Sequence, residues 1–410
     1  MTLADVVDDR VGIVRSCIRL SKTRTEPALP IVYQATLSHF DYRKGSVAER
    51  TASGKGLTDQ AAWRGAIVEA LERYCAYQQR PDMLVRGTAG ELDAPAITPE
   101  ELVLYSERQY AQSDFPYRRP HPDEELTWVR GEFLDGGGPV YVPASMVYMN
   151  YGGRGGRELF TSTTSNGLAG GLDLKSAALA GLYEVIERDA FLLVWMHRRS
   201  AARLDLDAIP GPVAVARRHY ARHGIELHAF DVTSDVEIPV AMAVTVDRTG
   251  AGPAAVVGLG CNADGQAALE RAVMEVVQVR TGAVPRYRRE PPVSRHYEDV
   301  RTLEDHAALA AMPENLGEFD FLLEGTATVT PPPPPGDRSE LGWVLERLNA
   351  VGATVAIVDV TQPDIAALGV SVVRSLATGL QPIHFGYGQE RLGGPRVCED
   401  ELNPCPHPIA

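Results

Sequence analysis

The sequence is short of several things, and each shortage removes a class of function. No run of about 18 apolar residues occurs in its 410 residues, so no transmembrane helix is expected. The opening Met1-Thr-Leu-Ala-Asp-Val-Val-Asp-Asp puts acids where a signal peptide needs a basic and then an apolar stretch, so a cytoplasmic location is expected. Formal net charge is −14, with no basic tail and no long Lys/Arg run, which argues against nucleic acid or membrane as a partner. The five cysteines are an odd number without a CxxC pair, so neither a disulfide framework nor a structural zinc site is expected. The nearest metal-like cluster, Cys398, Cys405 and His407, lacks a fourth ligand and the usual short spacing. A GxxxxGK[ST] phosphate loop is missing, as is a convincing Rossmann fingerprint.

What remains is a globular α/β chain, 44% hydrophobic and 23% charged. Short strands are expected at Val11-Gly-Ile-Val-Arg and Pro30-Ile-Val-Tyr-Gln-Ala-Thr-Leu. Apolar spacing of three and four predicts helices over about 58–78, 175–197 and 266–280. Residues 80–160 read as loops with short strands, among them Val140-Tyr-Val-Pro. Two strands flank a turn at Thr249-Gly-Ala-Gly, and Pro331 to Pro335 reads as an exposed linker within a Pro-rich loop around 331–336. No separable modules are visible, so a single domain over 1–410 is expected.

The chain repeats itself. A shift of 115 residues lays Gly56-Leu57 on Gly171-Leu172, Ala62 on Ala177, Glu69 on Glu184, and Glu72-Arg73 on Glu187-Arg188. The third helix is a looser copy, with Ala268 at the place of Ala62, Glu275 at Glu69 and Gln278 at Glu72. A weaker echo joins Gly224…Asp231-Val-Thr and Gly352…Asp359-Val-Thr, each a helix, a Gly and a strand.

Glutamates three apart project from one helix face. Here both pairs, Glu69/Glu72 and Glu184/Glu187, stand among apolar neighbours. Alone, either motif reads equally as a solvated face with an Arg salt bridge; two copies at matched spacing point to a shared cation site. Crowded carboxylates repel unless a cation neutralises them, and hard oxygen ligands favour Mg²⁺, the usual partner of nucleotide phosphates. Gly-rich segments precede both helices, Ser53-Gly-Lys-Gly and Ser165-Asn-Gly-Leu-Ala-Gly-Gly. As turns they would let phosphate approach the N–H groups at a helix start, with Lys55 as a basic side chain; tight turning alone accounts for them equally.

Gly54-Lys-Gly-Leu-Thr…Glu69-Ala-Leu-Glu-Arg, Ser165-Asn-Gly-Leu-Ala-Gly…Glu184-Val-Ile-Glu-Arg and Ala268-Leu-Glu-Arg-Ala-Val…Glu275-Val-Val-Gln-Val-Arg resemble the three signature blocks of YcaO proteins. The resemblance runs from about residue 10 to the C-terminus. It implies a YcaO-type α/β fold of internally repeated helix/strand units that binds ATP and Mg²⁺ without a Walker motif. It implies Glu69, Glu72, Glu184 and Glu187 around the metal. It carries over Ala169, Gly170, Arg188, Arg271 and Glu275 as positions that contact the nucleotide or organise the site. Ala169 and Leu172 stand where some family members carry Ser and Asn.

Pro404-Cys-Pro-His-Pro408 is a PxPxP motif resembling the C-terminal signature of azoline-forming YcaO enzymes, though Ile409-Ala410 follow it. Pro404, Pro406 and Pro408 are thereby expected to support cyclisation more than folding; a disordered polyproline end is the bland alternative. The implied reaction turns Cys, Ser or Thr of a ribosomal precursor peptide into azolines by phosphorylating the backbone amide oxygen. Thioamide or amidine formation, a non-catalytic peptide-binding scaffold and a metal-dependent hydrolase are the other readings. No general base is assigned; His384 and His407 are candidates by tail position only. Because the pattern begins near residue 10, no room remains for a leader-binding domain, so an E1-like or other leader-binding protein is expected in trans. A homodimer is left open.

Overall fold

A computed structural model describes residues 2–38, 50–149, 151, 156–207, 209–293, 296–325, 327–336 and 339–409. The helices that matter are α1 (Asp59–Tyr77), α2 (Leu174–Met196), α3 (Pro212–Arg222), α4 (Gly265–Arg289) and α5 (Glu340–Ala350). Three of them begin on the same chemistry at repeated positions. Thr58 accepts a hydrogen bond from Ala61 N (3.2 Å), Asp173 from Ser176 N (2.7 Å) and Asp264 from Gln266 N (3.0 Å). The step from Thr58 to Asp173 equals that from Ala62 to Ala177, and the step to Asp264 equals that from Ala62 to Ala268. The repeat is therefore a strand, a capping residue and a long helix. Helix α4 runs on to Arg289, past the expected end near Arg280, because Thr281 and Val284 continue its buried face.

Among the described residues the strands form three sheets. The first is β1 (Val14–Arg19), β2 (Ile31–Leu37) and β3 (Thr51–Gly56), antiparallel, with Ile31 opposite Gly56. The second joins β4 (Leu84–Gly87), β5 (Leu126–Phe133), β6 (Pro139–Pro143), β7 (Leu168–Gly171), β13 (Val355–Asp359) and β14 (Ser371–Ala377). The third runs β11 (Ala255–Cys261), β10 (Val240–Asp247), β9 (Ile225–Asp231), β8 (Ala202–Leu204) and β12 (Thr328–Val329). Each sheet supplies the strand of one repeat: β3 leads to α1, β7 to α2 and β11 to α4.

The reading of the Gly-rich segments as turns holds at Asn166-Gly167, where Gly167 has φ +79°, and is corrected for the rest. Ser53 to Gly56 and Leu168 to Gly171 are strands, and their glycines serve helix packing. A Cβ on Gly54 would overlap Ala62 O and Ala66 N; a Cβ on Gly260 would overlap Ala268 O and Ala272 N, the matching atoms of α4. Backbone-to-backbone contact lays each helix directly on its strand.

Helix α2 is the central element, buried along most of its length. Leu182, Ile186, Phe191 and Trp195 pack with Phe230, Met242 and Leu259 of the third sheet and with Phe319. The loop before β2 is tied to α4 by a buried ion cluster. Arg280 Nε lies 3.2 Å from Glu26 and Nη2 3.4 Å from Asp247, and Tyr220 donates to Glu26 at 2.8 Å. The Pro-rich run is largely exposed, yet Pro332 O accepts from Gly265 N at the start of α4 (3.0 Å). Among the described residues no helix is long and apolar enough to cross a membrane.

Candidate functional site

The three repeats close around one cavity of about 640 Å³, a size suited to a nucleotide. Its walls include Gly54 and Lys55 of β3, Glu69, Glu72 and Arg73 of α1, Leu168 of β7, Glu184 and Arg188 of α2, and Glu275 and Gln278 of α4. One face of each helix is thus turned inward, as the three-residue spacing requires.

Each acid is held in place by a neighbouring repeat or by its own. Glu69 accepts from Ser53 N (3.2 Å) and Arg73 Nη2 (3.0 Å). Glu72 reaches across to Gly170 N of β7 (2.6 Å). Glu184 accepts from Gly167 N (3.2 Å), and Glu187 meets Arg188 Nη1 at 2.9 Å. Lys55 crosses from the first sheet to Glu275 at 3.0 Å, and Gln278 donates to Ser53 Oγ at 2.7 Å. The lysine–glutamate and glutamine–serine bonds staple the first repeat to the third.

Burial and acid–acid repulsion dominate the electrostatics of the site. Burial first, then repulsion from Glu69 and Glu184, pushes the Glu72 carboxyl well above its ordinary value. Burial raises Glu184 as well, against the pull of Arg188. Glu187 is pushed up to about 7 by burial, with Glu275 and Glu184 adding to it and Arg188 opposing. Burial would raise Glu275 too, but Lys55 and Arg188 outweigh it and hold that carboxyl low. Glu72 and Glu184 on the cavity wall, both raised, and Glu187 behind it fit a cation in that space, since a divalent ion reverses the sign of their interaction. Among the described residues no three acidic, His or Cys side chains converge closely enough to hold a metal alone. The carboxylates line walls, which suits Mg²⁺ sharing its shell with phosphates and water.

Not every residue singled out from the sequence reaches the cavity. Glu69, Glu72, Glu184, Arg188 and Glu275 line it, and Glu187 stands behind Arg188. Ala169 and Gly170 do not line it: Ala169 is paired with Val373 in the second sheet, and the Gly170 N–H is engaged by Glu72. Arg271 turns outward, its guanidinium 6.0 Å over Tyr183 and 3.5 Å from Cys261 O. His384 and His407 point into the core, both with pKa values lowered by burial. Ser165 and Asn166, from the Gly-rich segment before α2, face the cavity as well; sequence reasoning missed Gln34 of β2 and Thr164, which nothing in their spacing marks.

The tail is packed, not a loose end. Trp195 Nε1 donates to Cys405 O (2.9 Å), His306 Nδ1 lies 2.6 Å from His407 O, and His407 Nε2 lies 2.6 Å from His384 O. Ile409 is buried and lines the cavity. Pro406 and Pro408 are buried beside it, so the tail is packed into the fold; Ala410 lies outside the described residues.

The chain is similar to known proteins in sequence and fold. A family model described as YcaO cyclodehydratase, ATP- and Mg²⁺-binding, matches residues 53–381. An uncharacterised protein of Methanothermobacter thermautotrophicus is 30% identical over 351 residues, 83% of this chain and 84% of its own. A solved heterocyclase in complex with substrate and cofactor is 26% identical with a TM-score of 0.79; the match covers 99% of this chain and 56% of that one. A YcaO structure from Methanopyrus kandleri, bound with AMPPCP and Mg²⁺, shares the fold at TM-score 0.63 and 24% identity, covering 90% of this chain and 86% of that one.

Proposed function

Because the chain belongs to the YcaO cyclodehydratase family of ATP-dependent, Mg²⁺-binding enzymes, we propose that it converts Cys, Ser or Thr of a ribosomal precursor peptide to azolines. The observation that carries the reading is the convergence of Glu69, Glu72 and Glu184 from two repeated helices on one cavity, with burial pushing the Glu72 and Glu184 carboxyls above their ordinary values.

Glu69, Glu72 and Glu184 would hold Mg²⁺, with Glu187 acting through Arg188. Arg188 and Lys55, the cations on the α2 and β3 walls, would take nucleotide phosphate. Lys55 is bound to Glu275 in the present arrangement, so it is released to phosphate only if that ion pair opens. When bound, ATP supplies the phosphoryl group that makes an amide-derived oxygen a competent leaving group. The protein's own part is positioning. The staples between repeats fix the carboxylate walls, and the buried Ile409, with Ile383 and Phe385, gives the cavity an apolar side that excludes water.

The heterocyclase that this chain matches along nearly its whole length is covered over little more than half of its own. The peptide is proposed to be presented by a separate E1-like or other leader-binding protein. A cytoplasmic site of action follows from a ribosomal substrate and ATP. Incubation with peptide, partner, ATP and Mg²⁺ should release ADP and remove one water from the peptide per ring. Peptide hydrolysis would favour a metal-dependent hydrolase, and ADP release without change in the peptide would remove the cyclodehydratase reading.

A further inference from the structure

Beside the large cavity lies a smaller one of about 70 Å³, reached past Thr164 and Asn166, which line both. Two arginines line it, Arg374 and Arg391, and among the described residues no Asp or Glu does. Arg374 spends its donors on main-chain carbonyls: Nε and Nη2 on Val147 O at 3.1 and 3.0 Å, Nη1 on Asn166 O at 2.7 Å. Arg391 does not. It is 6% exposed, its Nη2 donates to Ser162 O at 3.2 Å, and its Nε is buried with no partner among the described residues. The ionisable groups that bear on it are the phenols of Tyr105, Tyr117 and Tyr110 and the imidazole of His384.

Two acceptors are orphaned with it. Asn166 Oδ1 and Gln381 Oε1 are buried without a hydrogen-bond partner among the described residues. Gln381 cannot flip to cure this, because its Nε2 donates to Arg391 O at 3.0 Å. A buried guanidinium without a counter-charge is costly, and so is each unmet amide oxygen. The three vacancies have a pattern: one charged donor facing an anion, and two acceptors facing N–H groups. A phosphate would satisfy the first and set its oxygens against the other two. A carboxylate attached to an amide-bearing chain satisfies all three, and the volume admits that group but not a ring system.

We propose that this pocket binds a carboxylate of the peptide substrate, with neighbouring amide N–H groups donating to Asn166 and Gln381. The proposal rests on the peptide-modifying reading above. The carboxylate comes from an acidic side chain or from the peptide's C-terminus, and its place beside Thr164 and Asn166 would anchor the peptide next to the reacting amide.

Calorimetric titration without nucleotide tests it, using N-acetylglycinate for a terminal carboxylate and N-acetylglutamate α-amide for a side-chain one. N-acetylglycinamide and inorganic phosphate are the controls. At least one carboxylate probe should saturate and bind about tenfold or more tighter than either control; the tighter of the two names the source. Arg391→Gln should abolish the preference while Mg²⁺·ATP binding, measured separately, persists. Should that variant fail to fold, Gln381→Leu serves: it should weaken the carboxylate probes several-fold and leave propionate, which has no N–H, unchanged. No saturation by either carboxylate, equal binding of the neutral amide, or tighter binding of phosphate overturns the proposal. Those outcomes leave the nucleotide site untouched, so they are distinguishable from failure of the functional reading, which would show as loss of Mg²⁺·ATP binding in the wild type.

Discussion

Glu187 offers a measurement whose size follows from the structure. Its carboxyl is pushed from an ordinary 4.5 up to about 7, and its side chain is only 11% exposed. A folded-state value above the unfolded one means that folding takes up a proton between the two. Stability is therefore greatest below about 4.5, falls as pH rises toward 7, and is level above that. The interval corresponds to a loss of about 3 kcal/mol. Glu187→Gln removes the titrating group. It also removes the 2.9 Å ion pair with Arg188, but that loss shifts the profile at high pH, where the wild-type acid is ionised. The informative quantity is the change between pH 5 and pH 8. In urea denaturation with EDTA present, the wild type should lose up to about 3 kcal/mol more than the variant across that interval. Mg²⁺ should flatten the wild-type profile, because a bound cation favours the ionised acid. Parallel profiles for the two proteins would refute the account of Glu187 as a buried acid under repulsion.

Other outcomes follow from the same contacts. Glu184→Gln should abolish ATP turnover with melting temperature near wild type, and wild-type ADP release would remove Glu184 from the metal assignment. Arg280→Met leaves Glu26 and Asp247 buried without their cation; it should cost about 3–5 kcal/mol in denaturant unfolding, and a cost under about 1 kcal/mol would contradict the buried-cluster reading. Deleting Pro404 to Ala410 should lower the calorimetric melting temperature by several degrees as well as cut ring formation, since Trp195 and His306 lose their carbonyl partners. An unchanged melting temperature would mean that the tail does not contribute to the fold.

Much of the site was legible because it is written three times. A matched spacing of small residues and glutamates locates α1, α2 and α4 and turns the right face inward without any knowledge of the sheets. Glycine was misread for a physical reason. The same permissiveness that makes Gly54 suit a turn makes it suit a strand pressed under a helix backbone, and only the partner atoms of Ala62 and Ala66 decide between them. Sheet membership was illegible. Phe133 pairs with Ala356 and Leu168 with Arg374, contacts between residues some 200 positions apart that local patterning does not encode. Arg391 sits in a Gly/Pro-rich stretch with no periodicity, so its burial and missing partner emerge only in three dimensions.

The central claim is that glutamates from repeated helices hold Mg²⁺ for a nucleotide. Titration of AMPPCP with and without Mg²⁺ tests it most directly, on the wild type and on a Glu72→Gln, Glu184→Gln double variant whose fold is verified by circular dichroism. The account expects wild-type binding to strengthen at least about tenfold with Mg²⁺, and the variant to lose that dependence. Equal strengthening by Mg²⁺ in both proteins would contradict it.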